Sequence, residues 1–253
     1  FLLKTEVVDP SGKPVDEFSS SADIGAGETV TFDQTSHAIA HPQLWHPQHP
    51  FLYQVVSTLY EGKKPVDRYE TNFGFRWMEW TADKGFFLNG EHYYFKGANV
   101  HQDHAGWATA VTNAGLVRDV KMIKEAGMDF IRGSHYPHDP AFSQACDSLG
   151  ILLLQENDFW SCGIRGNGGW YLGDGAYPPN GEDQEAFEEN VKNNLDEMIR
   201  IHRNHPSIIA WSMCNEPFFT NASTLPRVRE FLKELVQLSH ELDPGRKVVV
   251  GGV

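Results

Sequence analysis

Four clusters of polar residues each follow a short apolar run, and their types suit proton transfer and the holding of a hydroxyl-rich ligand. Asn99, His101, Asp103 and His104 form the first, and Arg132, Ser134, His135 and Tyr136 the second. Glu156, Asn157, Asp158 and Trp160 make the third, and Asn215 and Glu216 the fourth. The run before the last, Ile208-Ile209-Ala210-Trp211-Ser212-Met213-Cys214, is almost wholly apolar. A carboxyl at its tip is expected to be partly desolvated, to hold its proton more tightly and so to serve as a general acid. The bland alternative is that Glu216 caps the next helix or pairs with a cation such as Arg132, since ion pairs at strand ends are common. Pro217 ends the strand and sets the path of the chain beyond it.

Clusters of this kind meet only if the strands that carry them end together. After about Lys84 short strands alternate with helical stretches, the pattern of βαβ units on a parallel sheet. Strands are predicted at His92 to Lys96, Asp129 to Arg132, Ile151 to Leu154, Ile208 to Met213 and Lys247 to Val250. Helices are predicted at Asn113 to Ala126, Pro140 to Leu149, Asp183 to Arg203 and Pro226 to Leu242. Five such units suit an α/β fold, an incomplete (β/α)8 TIM barrel, because a full one takes about 250 residues. A doubly wound open sheet is the runner-up. In a parallel barrel functional groups project from the C-terminal ends of the strands, where all four clusters fall.

The first eighty or so residues carry short β-branched or alternating segments, Lys4 to Val8, Thr29 to Phe32, Phe51 to Tyr60 and Val66 to Phe75, separated by turn signals such as Asp9-Pro10-Ser11-Gly12. They predict a small antiparallel sandwich. An immunoglobulin-like sandwich needs about seven strands, so residues 1–80 read as a partial one, followed by the first part of a barrel domain over 81–253.

Over nearly its whole length the sequence resembles glycoside hydrolase family 2, the family of β-galactosidases, β-glucuronidases and β-mannosidases. The most specific match is Arg203-Asn204-His205-Pro206-Ser207 followed by Trp211-Ser212-Met213-Cys214-Asn215-Glu216-Pro217. Asn72 to Arg76, Phe87 to Gly90, Lys96 to His101, Ile131 to Pro137, Pro42 to Trp45 and Pro50 to Tyr53 also carry the likeness. The resemblance implies a retaining exo-β-glycosidase, β-galactosidase-like before β-mannosidase or β-glucuronidase, with Glu216 as general acid and then base. It implies that Asn215 holds the sugar 2-hydroxyl, while His135, His101, Arg132 and Asp103 line the sugar subsite. Glu156 is expected to shape the site rather than attack the sugar. The nucleophile is expected from a strand beyond Val253, so that the chain alone should not hydrolyse glycosides at a normal rate. Magnesium-binding relatives place acidic and His ligands after the third strand; here Asp158-Phe159-Trp160-Ser161-Cys162-Gly163 lacks that pair, so no metal and no cofactor is expected. A carbohydrate-binding or structural module that no longer catalyses is the reading from a different class.

Composition narrows the partners. Thirty-four acidic residues against 21 basic ones leave a net charge of −13, which argues against nucleic acid or an anionic membrane. No apolar run reaches the roughly 18 residues of a membrane-spanning helix, and no signal-peptide pattern opens the chain. The compartment is not indicated, and both ends read as cuts through a longer protein. A glycoside or oligosaccharide is the expected partner, with missing segments or a second copy covering the open edges of the barrel. Cys146, Cys162 and Cys214 read as buried thiols rather than a disulfide framework. Trp160, Trp170, Tyr171 and Tyr177 read equally as sugar-stacking walls or as packing. Glu182-Asp183 reads as a helix start favoured by the macrodipole, and the Asn221-Ala222-Ser223 triplet is discounted.

Overall fold

The computed structural model describes residues 1–160, 164–165, 169–170, 177–178, 181–218, 220 and 222–251. Its contacts divide the chain into two units, Phe1–Tyr93 with Asn204–Pro206, and Tyr94–Arg203 with Ser207–Val253.

In the first unit β1 (Leu2–Val8), β2 (Pro14–Ser21), β3 (Tyr53–Glu61) and β4 (Lys64–Phe73) form an antiparallel sheet in the order β2-β1-β3-β4. The segment Thr29 to Phe32, expected as a strand, is irregular and mostly exposed. The edge position belongs instead to β2, whose polar sequence hides it. An edge strand with one solvated face needs only alternate residues to be covered, and Asp16, Phe18 and Ser20 are the half-buried ones. The Gln34 side chain ties the crossing segment down, accepting from Thr5 Oγ1 at 2.6 Å and donating to Ser20 Oγ at 2.8 Å. Trp45 is fully buried, and Gly74 is required beside it, since a Cβ there would sit 2.8 Å from the Trp45 Cβ. The meander β5 (Met78–Thr81), β6 (Gly85–Leu88) and β7 (Glu91–His92) closes this unit.

The second unit runs β8 (Gly97–His101), α1 (Asn113–Glu125), β9 (Phe130–Ser134), α2 (Pro140–Leu149), β10 (Leu152–Glu156), the short strands β11 (Ile164–Arg165) and β12 (Gly169–Trp170), α3 (Gly181–His202), β13 (Ile208–Ser212), α4 (Leu225–Leu242) and β14 (Lys247–Val249). Local signals explain the helix limits. Thr112 accepts from the Gly115 amide at the start of α1, and Asp139 accepts from the Ala141 amide at 2.8 Å with Pro140 in the first turn of α2. Gly150 ends α2 in the left-handed conformation at φ 68°. Glu182 and Asp183 occupy the first turn of α3, as the macrodipole favours. Among the described residues no helix is long and apolar enough to cross a membrane.

Five strands lie parallel in the order β8-β9-β10-β13-β14, which is their order along the chain. A doubly wound sheet reverses direction at a switch point, so the runner-up fold is excluded. Each crossover advances one place, and the sheet is the opening part of a TIM barrel. Ile131, Leu153 and Trp211 pack with Leu116, Phe142, Leu195 and Phe231 in the core between sheet and helices.

Two strand limits differ from expectation with structural consequences. The first barrel strand is Gly97–His101 rather than His92 to Lys96, although the latter is richer in strand-forming aromatics. Pairing with β9 decides the matter: a Cβ on Gly97 would lie 2.2 Å from the Phe130 carbonyl oxygen, so only glycine permits this approach. The register of β10 on β13 shifts between Leu153, opposite Ile208, and Leu154, opposite Ala210. The extra residue, Ile209, lets Ile208 and Trp211 both reach the helix-covered core while Ala210 and Ser212 share the other face.

Substituting Gly97→Ala should therefore destabilise the second unit by about 2 kcal/mol, because the obstacle is backbone rather than a side chain that can swing aside. A denaturant titration followed by circular dichroism checks this, and an unchanged midpoint would count against the close β8–β9 approach.

Candidate active site

At the C-terminal ends of β9, β10 and β13 a single carboxylate gathers the polar groups. Glu156 is completely buried at the tip of β10, and each of its oxygens is occupied. Arg132, two strand positions before the end of β9, donates from Nη2 at 2.9 Å and from Nε at 3.1 Å to Oε2. His135 Nδ1 lies 2.7 Å from Oε1, and Ser212 Oγ donates to Oε2 at 2.7 Å. Because a carboxylate only accepts, the shared proton of the imidazole contact sits on Nδ1, and among the described residues no hydrogen bond engages Nε2. Arg132 Nη2 also donates to Asn215 Oδ1 at 2.7 Å, so the guanidinium joins Glu156 to Asn215. Such charge-assisted, forked bonds fix direction as well as distance.

Asn215 is buried and is held a second way, by an isolated parallel bridge to Trp160 in which its amide donates to the Phe159 carbonyl at 2.9 Å. The next residue, Glu216, is half-buried with φ 48°, a left-handed conformation that costs a non-glycine residue about 1 kcal/mol. Among the described residues no hydrogen bond or ion pair engages its carboxylate, and the cap of α4 falls at Thr224. Arg132, the cation offered as its bland partner, is committed to Glu156 instead.

The histidines separate. His101 packs edge-on against His135, ring centroids 4.9 Å apart, and reaches Tyr136 at 6.2 Å. Burial first, and then the positive surroundings of His135 and Arg132, hold its pKa below the usual imidazole value. His104 stands apart, stacked on Trp107 at 4.5 Å and bonded to the Ala105 carbonyl. Asp103 is exposed and influences His101 and Tyr136 only through space. Behind the cluster His138 is buried and bonded to the Ser134 carbonyl at 3.3 Å; desolvation lowers its pKa to about 4. Cys214 is a buried thiol pushed up to about 12 by burial, too inert to act as a nucleophile, and Cys146 is likewise buried; Cys162 lies outside the described residues.

Arg132, His135, Asn215 and His101 are thus brought together, Glu216 adjoins them, and Asp103 makes no hydrogen bond to the group. Ser212 was not singled out from sequence. Its signal was a lone hydroxyl inside an apolar strand, which the bulge at Ile209 turns towards Glu156. Of the four aromatic residues after β10, Tyr177 packs: it is buried against Phe187 and Phe231 with its hydroxyl bonded to Glu188. Trp160 stays open, whereas the side chains of Trp170 and Tyr171, like Asn221, lie outside the described residues. Among the described residues no group of three or more His, Cys, Asp or Glu is arranged to hold a metal ion.

Two models of one family match the chain. Residues 81–253 match the family model for the TIM barrel domain of glycosyl hydrolases family 2, and residues 1–76 match a further model of glycosyl hydrolases family 2. A putative β-glucuronidase of Formosa agariphila is 37% identical over 216 residues, which make up 84% of this chain and 24% of that protein. A β-galactosidase of Thermoanaerobacter pseudethanolicus is 32% identical over 84% of this chain and 25% of its own length. The structure of Bacteroides uniformis β-glucuronidase 3 superposes with a TM-score of 0.80 at 30% identity, covering 98% of this chain and 29% of that one. The chain therefore spans about a quarter of the length of the relatives it matches.

Removing the charge at the hub should be costly. Glu156→Gln strands the Arg132 guanidinium and should lower stability by about 3 kcal/mol, whereas Ser212→Ala removes one bond and should cost about half that. Urea titrations of the two variants give the ranking, and equal midpoints would show that the carboxylate is not the anchor. The buried His138 ring makes a separate prediction. Its folded pKa of about 4 lies below the unfolded value of 6.5, so its contribution is fully present above pH 6.5 and lost as pH falls towards 4. The loss is on the order of 3 kcal/mol and should be missing from the pH dependence of melting in His138→Gln.

Proposed function

Since the chain belongs to glycosyl hydrolases family 2, we propose that it forms part of a retaining β-glycosidase in which Glu216 is the general acid and base. What supports this reading is the hydrogen-bonded chain Glu156–Arg132–Asn215, which fixes the amide beside Glu216 and leaves the Glu216 carboxylate unengaged among the described residues. An acid must release its proton to the departing glycosidic oxygen and later take one from water, and a carboxyl locked in an ion pair could do neither. Asn215, its Oδ1 taken by Arg132, presents its NH2 group to donate a hydrogen bond to the oxygen of a sugar 2-hydroxyl, a contact that tightens as the ring flattens. His135, with Nδ1 turned to Glu156, offers Nε2 to a second hydroxyl, and His101 stands against it.

Retention requires a nucleophilic carboxylate about 5 to 5.5 Å from the acid. Glu156 is unsuited to that task, because both its oxygens are consumed by Arg132, His135 and Ser212 and no face is open to a sugar. The nucleophile is then a residue outside this cluster.

Two substrate classes are supported equally. Relatives named β-glucuronidase are 37% and 35% identical to the chain, and relatives named β-galactosidase 32%. A β-glucuronide is thus as good a reading as the β-galactoside favoured from sequence. Hydrolysis of 4-nitrophenyl β-glucuronide and β-galactoside by the intact protein separates them.

Replacing Glu216 with Gln keeps shape and removes the proton. For a glycoside with a poor leaving group kcat should fall by roughly 10² to 10⁴, while a 4-nitrophenyl glycoside, whose phenolate departs without help, should lose far less in bond cleavage. Undiminished kcat on the poor leaving group would rule out the assignment.

A further inference from the structure

Trp160 is a large apolar side chain left exposed in the second unit. Its neighbour Phe159 is fully buried, packed on Phe187 at 5.6 Å and Phe231 at 5.7 Å. Successive side chains of an extended segment point to opposite sides, so anchoring Phe159 in the helix-covered core turns Trp160 away from it. The bridge to Asn215 fixes the backbone at this position, and the indole lies 6.1 Å from the His135 ring, tilted by 35°. Even so, Trp160 keeps 37% of its surface exposed, and among the described residues no acceptor meets its indole N–H. Among the described residues, packing leaves the indole only half covered. The same observations separate it from Tyr177, whose ring is buried and whose hydroxyl is satisfied by Glu188.

We propose that Trp160 is a sugar-contacting wall of the site, its indole face receiving the C–H face of a pyranose while Nε1 donates to a ring hydroxyl. Pyranosides combine an apolar face with a rim of hydroxyls, and an indole is the side chain that offers a flat apolar face together with one donor. The bridge makes the wall part of the catalytic geometry: Trp160 and Asn215 are backbone neighbours, so a ring stacked on the first lies within reach of the second. The His135 ring lies 6.1 Å from the indole, and among the described residues its Nε2 carries no hydrogen bond. This inference rests on the reading of the site as a glycosidase centre and adds a residue that recognises the sugar without taking part in proton transfer.

The test uses the intact protein with 4-nitrophenyl β-glucuronide and β-galactoside, and compares Trp160→Ala, Trp160→Phe and Glu216→Gln. On the better substrate Trp160→Ala should lose about tenfold or more in kcat/KM, mainly through KM, and Trp160→Phe should recover most of it because a flat ring is restored. Quenching of tryptophan emission by the bound glycoside should be seen in the Glu216→Gln protein and should be weaker once Trp160→Phe is added. Wild-type kcat/KM in a folded Trp160→Ala variant overturns the inference. If Trp160→Ala does not fold, Trp160→Phe decides: a lowered melting temperature with quenching unchanged makes the residue a packing element. Absence of hydrolysis of either glycoside by the wild-type intact protein would instead sink the glycosidase reading itself, which keeps the two failures apart.

Discussion

A carboxylate removed from water must be compensated, and the way Glu156 is compensated sets the geometry of everything around it. An isolated buried charge would cost several kcal/mol; Arg132, His135 and Ser212 together supply the opposing charge and the donors. None of the three can leave without exposing that cost, so each is held in one orientation. Arg132 has further donors beyond those spent on Glu156, and it uses one on Asn215. A buried ion pair contributes little to stability in itself, but it converts a strand end into a fixed platform of donors. A polyhydroxylated ring demands such a platform, because its hydroxyls are recognised by direction.

The platform depends in turn on strands that stop at one level. Consecutive parallel strands bring the ends of β9, β10 and β13 side by side, and the cluster draws one residue or two from each. The bulge at Ile209 adjusts the last of them. Without the extra residue the alternation of β13 would carry Ser212 to the helix side and Trp211 towards Glu156, a steric and electrostatic mismatch. Trp211 instead fills the core, its indole N–H bonded to Asp243 at 3.1 Å and its ring beneath Arg246. One inserted residue therefore settles both a packing and a polar requirement.

Much of this was legible beforehand where local chemistry is strong. The helices α1, α2 and α4 lie within a residue of their predicted limits, because Thr112, Asp139, Pro140, Pro226 and Gly150 mark ends by mechanisms that need no tertiary partner. The strands were less legible. The segment Thr29 to Phe32 has strand-forming residues but no ladder, β2 has a ladder but polar residues, and β8 lies several residues beyond the apolar run that advertised it. A strand is stabilised by its neighbour, which local composition does not name.

The polar strand ends illustrate the same boundary. Their position, and the residue types Arg132, His135, Glu156, Asn215 and Glu216, followed from the order of apolar and polar residues, since that order depends only on which side chains leave water. The sequence motifs likewise sufficed for the family. Which carboxylate is engaged was decided by the tertiary structure: Glu156 closes β10 opposite Ser212 and is bonded through both oxygens, whereas Glu216 lies beyond the end of β13 in a left-handed conformation with no partner among the described residues. Hydrogen bonds fall off steeply with distance and angle, so partners 24 and 83 residues apart in the chain can be matched only once the sheet has set their separations.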